Sequence, residues 1–184
     1  MYNTKDNIVA LATTPSKSAL SVVRCSGSGA FSLYKKLTKK NSVSPPNYVH
    51  LKTVYFRGAI IDEMMIVCFA APKSYTGQNM VEFSMHGGHI VVNRFLEALC
   101  AYGFRQALPG EFSYRAFLNG KIDLIQAEAT NTLINANTNL DALYSINNLK
   151  GALSEKILFV SNKLENIITY IEHELDFDGG EIEF

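Results

Sequence analysis

Cysteine is scarce in this 184-residue chain, its charges cancel, and no apolar run approaches the roughly 18 residues of a membrane span. Cys25, Cys68 and Cys100 are odd in number and far apart, with no C-x-x-C pair, which argues against a disulfide framework and against a zinc knuckle. A reducing, cytosolic compartment fits them best. With 17 Lys+Arg against 17 Asp+Glu, the chain lacks the basic excess that holds a polyanion by phosphate contacts, so any role with nucleic acid must be local or delegated. The apolar stretch at 8–12 is too short for the core of a signal peptide, and export is not expected. Only 18% of residues are charged and 47% are hydrophobic, which excludes intrinsic disorder. A soluble protein of this length buries about 70% of its unfolded surface and needs neither metal nor disulfide to fold.

Up to about residue 107 the pattern is short strands punctuated by Gly and Pro, with two helices between them. Strands are expected over 8–12 and 20–25, and a helix over 30–37 with Phe31, Leu33, Tyr34 and Leu37 on one stripe. Pro45-Pro46 closes that region. Over 48–57, Val49, Leu51, Thr53 and Tyr55 alternate with His50, Lys52 and Val54 as a half-buried strand; one or two more strands are expected over 60–70. A loop at 71–77 precedes a strand that sets Val81, Phe83 and Met85 on one face and Met80, Glu82 and Ser84 on the other. His86-Gly87-Gly88-His89 then turns the chain into a helix ending at Gly103.

From Pro109 onward no strand-like alternation remains. Two short helices are expected over 111–118 and 124–136. From Thr138 an apolar row runs through Leu140, Leu143, Ile146, Leu149, Leu153, Ile157, Val160, Leu164, Ile168, Ile171 and Leu175 in steps of three and four, predicting one helix roughly 50–60 Å long. Gly151 weakens it by about 1 kcal/mol relative to Ala and is the natural place for a bend. A stripe that long needs partners, either from a second copy or from further chain.

Several features carry possible chemistry. Ser26-Gly27-Ser28-Gly29 follows a strand and opens a helix, but Ser32 stands where a dinucleotide fingerprint has its third glycine, and no acidic residue occurs between Asp6 and Asp62. No G-x-x-x-x-G-K-[ST] occurs, so the chain has no phosphate loop of that kind. His86 and His89 lack further ligands at metal spacing, so no metal site is expected. Their turn is either structural or an anion site at a helix N-terminus. Arg24 and Glu82 close apolar strand faces, as solvated rim or as binding groups; Lys121 is a helix-start charge or a ligand contact. Lys35, Lys36, Lys39 and Lys40 read as a solvated helix end ahead of an RNA contact.

Taken together, the segments 6–13, Val22-Val23-Arg24-Cys25-Ser26-Gly27, Ser74-Tyr75-Thr76-Gly77, Val81-Glu82 with His86-Gly87-Gly88, Pro109-Gly110-Glu111-Phe112-Ser113 and 115–129 occur in an order and spacing that resembles the tRNA modification GTPase family called MnmE or TrmE. Asp176-Phe177 and Glu181-Ile182-Glu183-Phe184 resemble the end of that family's first long helix. The resemblance implies an α+β fold: a mixed β-sheet domain with helices packed on it, of the aminomethyltransferase-like folate-binding kind, then an all-α segment with one long helix. It divides the chain into a tetrahydrofolate-binding, dimerising domain at 1–119 and the first part of a helical domain at 120–184. It also implies a fragment, with GTP, Mg and K belonging to a GTPase domain that this chain lacks.

By matching motifs, the family's folate contacts carry over to Arg24, Glu82 and Lys121. A carboxylate can accept paired N–H bonds from the amino-pyrimidinone edge of a pterin, while Arg and Lys meet carbonyl or glutamate oxygens. No catalytic residue is assigned. The chain departs from the family at Pro15-Ser16-Lys17-Ser18, where a glycine-rich stretch is usual, and at Gln78-Asn79, where an acidic residue is favoured. The implied function is to hold 5-formyltetrahydrofolate or a related one-carbon donor in a cytoplasmic homodimer. An FAD-containing MnmG-type partner then joins it in modifying C5 of the wobble uridine of tRNA. Rival readings are a ligand-free assembly module and a self-sufficient aminomethyltransferase.

Overall fold

The computed structural model describes residues 4–177 and separates the chain into two compact units, Met1–Ile122 and Asp123–Phe184. The motif at Glu181-Ile182-Glu183-Phe184 lies outside the described residues. The first unit holds β1 (Ile8–Leu11), β2 (Leu20–Ser26), α1 (Ala30–Thr38), β3 (Val49–Phe56), β4 (Ala59–Phe69), β5 (Met80–His86), α2 (His89–Ala101), β6 (Arg105–Gln106) and α3 (Glu111–Leu118). Its strands form one mixed sheet in the order β3-β4-β5-β2-β1-β6, antiparallel except for the β1–β6 pair. The fold is α+β.

Period-two alternation decides which residues meet the helices. Val23 and Cys25 of β2, Met64, Ile66 and Cys68 of β4, and Val81, Phe83 and Met85 of β5 pack with Leu33, Tyr34 and Leu37 of α1 and Val92, Phe95 and Leu99 of α2. The Phe83 and Phe95 rings meet edge-on at 4.9 Å. Each such side chain contributes about 1.5–3 kcal/mol on burial. Cys25 and Cys68 lie on either side of Val81 in the register, about 9.5 Å apart at two strand spacings, beyond disulfide reach. Burial pushes the Cys68 thiol up to about 11 and Cys25 further still, so both pack as small hydrophobes.

β3 alternates as expected, and the structure decides which row is buried. Val54 and Phe56 enter the core, while Val49 and Leu51 on the opposite face are 63% and 60% exposed. The register shift between Val54 and Tyr55 accompanies this. Helices α1 and α2 pack on one side of the sheet; on the other, Met80 and Ser26 are buried, while Val49, Leu51 and Met65 stay exposed.

The glycine turn after β2 is filled from within. Gly29 N–H donates to Asn7 Oδ1 at 2.8 Å, and a Cβ at Gly29 would come within 2.7 Å of Asn7 Nδ2. Gly27 has φ 137°, and a Cβ there would lie 2.4 Å from Asn7 Oδ1. The space that a dinucleotide fingerprint leaves for a phosphate is occupied by Asn7. Gly29→Ala is expected to cost about 1–3 kcal/mol by overpacking; thermal denaturation reads it, and an unchanged midpoint contradicts it.

The second unit contains α4 (Leu124–Ile134), α5 (Asn139–Leu149) and α6 (Ala152–Phe177). A reciprocal capping box starts α4: Asp123 accepts from Gln126 N–H, and the Gln126 side chain accepts from Asp123 N–H. The single helix expected from Thr138 is two. Gly151 takes φ 90°, its N–H closing on Asn148 O, and α6 restarts with Glu155 N–H on Gly151 O. Unbroken apolar spacing across residues 140–175 hid this, because side-chain periodicity does not report a left-handed backbone. At 26 residues α6 is about 39 Å long. Ile157, Leu164, Ile168, Ile171 and Leu175 on it are each more than half exposed. Among the described residues no helix is long and apolar enough to cross a membrane.

Candidate functional site

Arg24 and Glu82 are direct cross-strand partners in the β2–β5 register, flanked in the same row by Ala10 on β1 and Val67 on β4. Alternation sends Val23, Cys25, Val81 and Phe83 into the core and leaves Arg24 and Glu82 on the open face. Arg24 Nε lies 2.7 Å from Glu82 Oε1, with side-chain exposures of 42% and 25%. Its N–H is not aligned along that vector and has no hydrogen-bond acceptor. The contact is an ion pair, with part of the Arg24 side chain exposed beside it.

Two residues along β2 on the same face, Ser26 Oγ meets Thr76 Oγ1 at 2.7 Å. Thr76 is fully buried, and its carbonyl accepts Asn119 Nδ2–H at 2.7 Å. Gly77, at φ 75°, packs where a Cβ would sit 2.9 Å from Asn119 Cβ and 3.3 Å from Lys121 Cγ. Lys121 is held there by its own N–H on Ala116 O after the turn at Gly120. The structure thus pairs Arg24 with Glu82 directly and sets the Lys121 stem against the 74–78 loop, which is itself bonded to the end of β2.

A second polar cluster was not read from the sequence. Glu111, with a fully buried side chain, accepts from Arg105 at 2.7 and 2.8 Å, from Arg115 at 2.9 Å and from Leu108 N–H at 2.9 Å. Arg105 also pairs with Asp6 at 2.8 Å. The Arg105 guanidinium above all, against the opposing effect of burial and with help from Leu108 N–H and Arg115, brings the Glu111 carboxyl from 4.5 down to about 2. Arg115 is completely buried. Glu111 and Arg115 at i,i+4 on α3 were the available signal, but an i,i+4 pair usually marks a solvated face. Away from both clusters, the His86 ring at the end of β5 lies 2.8 Å from the Asp62 carboxylate.

Comparison with known proteins bears on this arrangement. The family described as GTP-binding protein TrmE N-terminus matches residues 7–121, most of the unit that carries both clusters. The chain belongs to the MnmE/TrmE family. Proteins named tRNA modification GTPase MnmE are 41% identical to it in Mycoplasma mycoides subsp. mycoides over 94% of this chain, and 41% in Francisella philomiragia over all of it. A third, from Aquifex aeolicus, is 41% identical over 94% of the chain. These matches take in 38%, 40% and 39% of the respective relatives, so the chain spans about two fifths of an MnmE protein and represents its N-terminal part.

Proposed function

We propose that this chain binds a 5-formyltetrahydrofolate-type one-carbon donor and dimerises, as the N-terminal part of a tRNA modification GTPase. The Arg24–Glu82 pair on the open sheet face is the observation that carries this reading. Its donor set suits a pterin. The Glu82 carboxylate would accept the paired N–H groups of the amino-pyrimidinone edge, and Arg24 and Lys121 would meet carbonyl or glutamate oxygens. Gly77 keeps the loop backbone close against Asn119 and Lys121. When bound, the folate supplies the carbon unit; this chain's residues bind and orient it.

Exposed Val49, Leu51 and Met65 on the open sheet face support a homodimer, since an apolar patch of this kind marks an interaction surface. In the whole protein the donor would serve modification at C5 of the wobble uridine of tRNA in the cytoplasm, together with an FAD-containing MnmG-type partner. GTP, Mg and K would be bound by the GTPase domain, whose phosphate loop this chain does not carry. The experiment is calorimetry of the chain with 5-formyltetrahydrofolate and with GTP, alongside light scattering. Folate binding by a dimer with no heat from GTP is expected; a dimer without folate affinity defeats the ligand reading.

The exposed stripe of α6 favours a second reading, a ligand-free assembly module. Unchanged folding and dimerisation with both Arg24 and Glu82 replaced by Ala, in a chain that binds no folate, would support it.

A further inference from the structure

The 74–78 loop is joined to the interior by a line of hydrogen bonds in which every donor and acceptor is defined. Arg115 donates to Gln78 Oε1 at 3.0 Å and to Asp6 O at 2.7 Å. A guanidinium has no acceptor, so the Gln78 atom facing it is the carbonyl oxygen. That oxygen also takes the Ser26 hydroxyl proton at 3.0 Å. Ser26 has no second proton, so Thr76 is the donor across their 2.7 Å contact. The Gln78 amide nitrogen donates in turn to Thr4 O at 3.1 Å. At the far end, Thr76 O receives Asn119, and Gly77 packs on Asn119 and Lys121.

We propose that Gln78 is a positioning residue for the ligand site: through Ser26 and Thr76 it sets the loop surface on which Lys121 rests, in register with Arg24 on the same strand as Ser26. The proposal rests on the folate reading for its ligand. A side-chain amide suits the place because it accepts from Arg115 and Ser26 while donating to Thr4, which a carboxylate cannot do. Nor does it add charge to a cluster in which Asp6 and Glu111 already match Arg105 and Arg115.

The test is a double-mutant cycle on the full 184-residue chain, read as 5-formyltetrahydrofolate affinity. Gln78→Ala is expected to weaken binding about tenfold. In a Lys121→Ala background the same change is expected to cost less than about twofold, because Gln78 acts through Lys121. Gln78→Glu, which keeps the acceptor for Arg115 and Ser26 but loses the donor to Thr4, is expected to recover part of the affinity. Fully additive losses from Gln78→Ala and Lys121→Ala would overturn the proposal, since a merely structural Gln78 lowers affinity whatever stands at 121. Amide exchange in the unliganded chain supplies a readout independent of folate. Gln78→Ala is expected to speed exchange at Gly77 and Lys121 and to leave β4 unchanged. Unaltered exchange at both positions overturns the relay. Absence of folate binding by the unsubstituted chain, with the exchange response present, overturns the folate reading and leaves the relay standing.

Discussion

Glu111→Ala is expected to remove about 3–5 kcal/mol from the stability of the N-terminal unit, out of the roughly 5–15 kcal/mol typical of a domain. The Glu111 carboxylate receives four N–H bonds from Arg105, Arg115 and Leu108, and its side chain is fully buried. Truncation takes from the guanidinium of Arg115, itself without exposure, the carboxylate it meets at 2.9 Å. Removing one partner of a buried ion pair is among the few single changes that cost this much. Urea unfolding at pH 7 followed by circular dichroism measures the loss, and one below about 1 kcal/mol contradicts the account. The same group has a pH signature. Its folded carboxyl titrates at about 2 against an ordinary 4.5, so between these values the unfolded chain binds the extra proton. The stability that Glu111 contributes is complete above pH 4.5 and drains away as pH falls toward 2, by about 3 kcal/mol in all. Glu111→Gln should flatten that part of the stability profile.

Glu82→Ala is expected to lower affinity for 5-formyltetrahydrofolate by roughly a hundredfold or more, the loss of two hydrogen bonds to a charged acceptor at about 1.5–3 kcal/mol each. The fold should survive, because Glu82 lies on the open face with a quarter of its side chain exposed and its strand is held by neighbours on both sides. Calorimetry on the variant and its parent reads the effect, with circular dichroism confirming the sheet. Glu82→Gln, which keeps an acceptor oxygen but offers N–H groups to a donor edge, should bind little better than Ala. Retained affinity in both variants would turn the Arg24–Glu82 pair into a rim ion pair and favour the assembly module.

Much of this was legible before any coordinates. The apolar row Val81, Phe83, Met85 placed Glu82 on the opposite face, and the same alternation set Arg24 on one face with Leu20 and Val22. What the alternation does not specify is which strand lies beside which; only the antiparallel β2–β5 pairing, in a register that sets 24 opposite 82, turns two rim charges into one pair. For β3 the alternation was legible but not which row is buried, because Val49 and Leu51 are as apolar as Val54 and Phe56, and only the position of α1 and α2 distinguishes the two faces.

Motif spacing was enough for family membership, and the resemblance it carries for the α+β class; local pattern gave most of the strands and helices, because periodicity and turn chemistry act over a few residues and leave their mark in any short window. Packing alone decided the rest: that α5 and α6 part at Gly151, that Asn7 fills the glycine turn, and that Asp6, Gln78, Arg105, Glu111 and Arg115 share one buried cluster. The bond from Arg115 to Asp6 joins residues 109 apart. Such contacts are selected by the folded chain's need to satisfy every buried charge, a condition that no stretch of sequence expresses by itself.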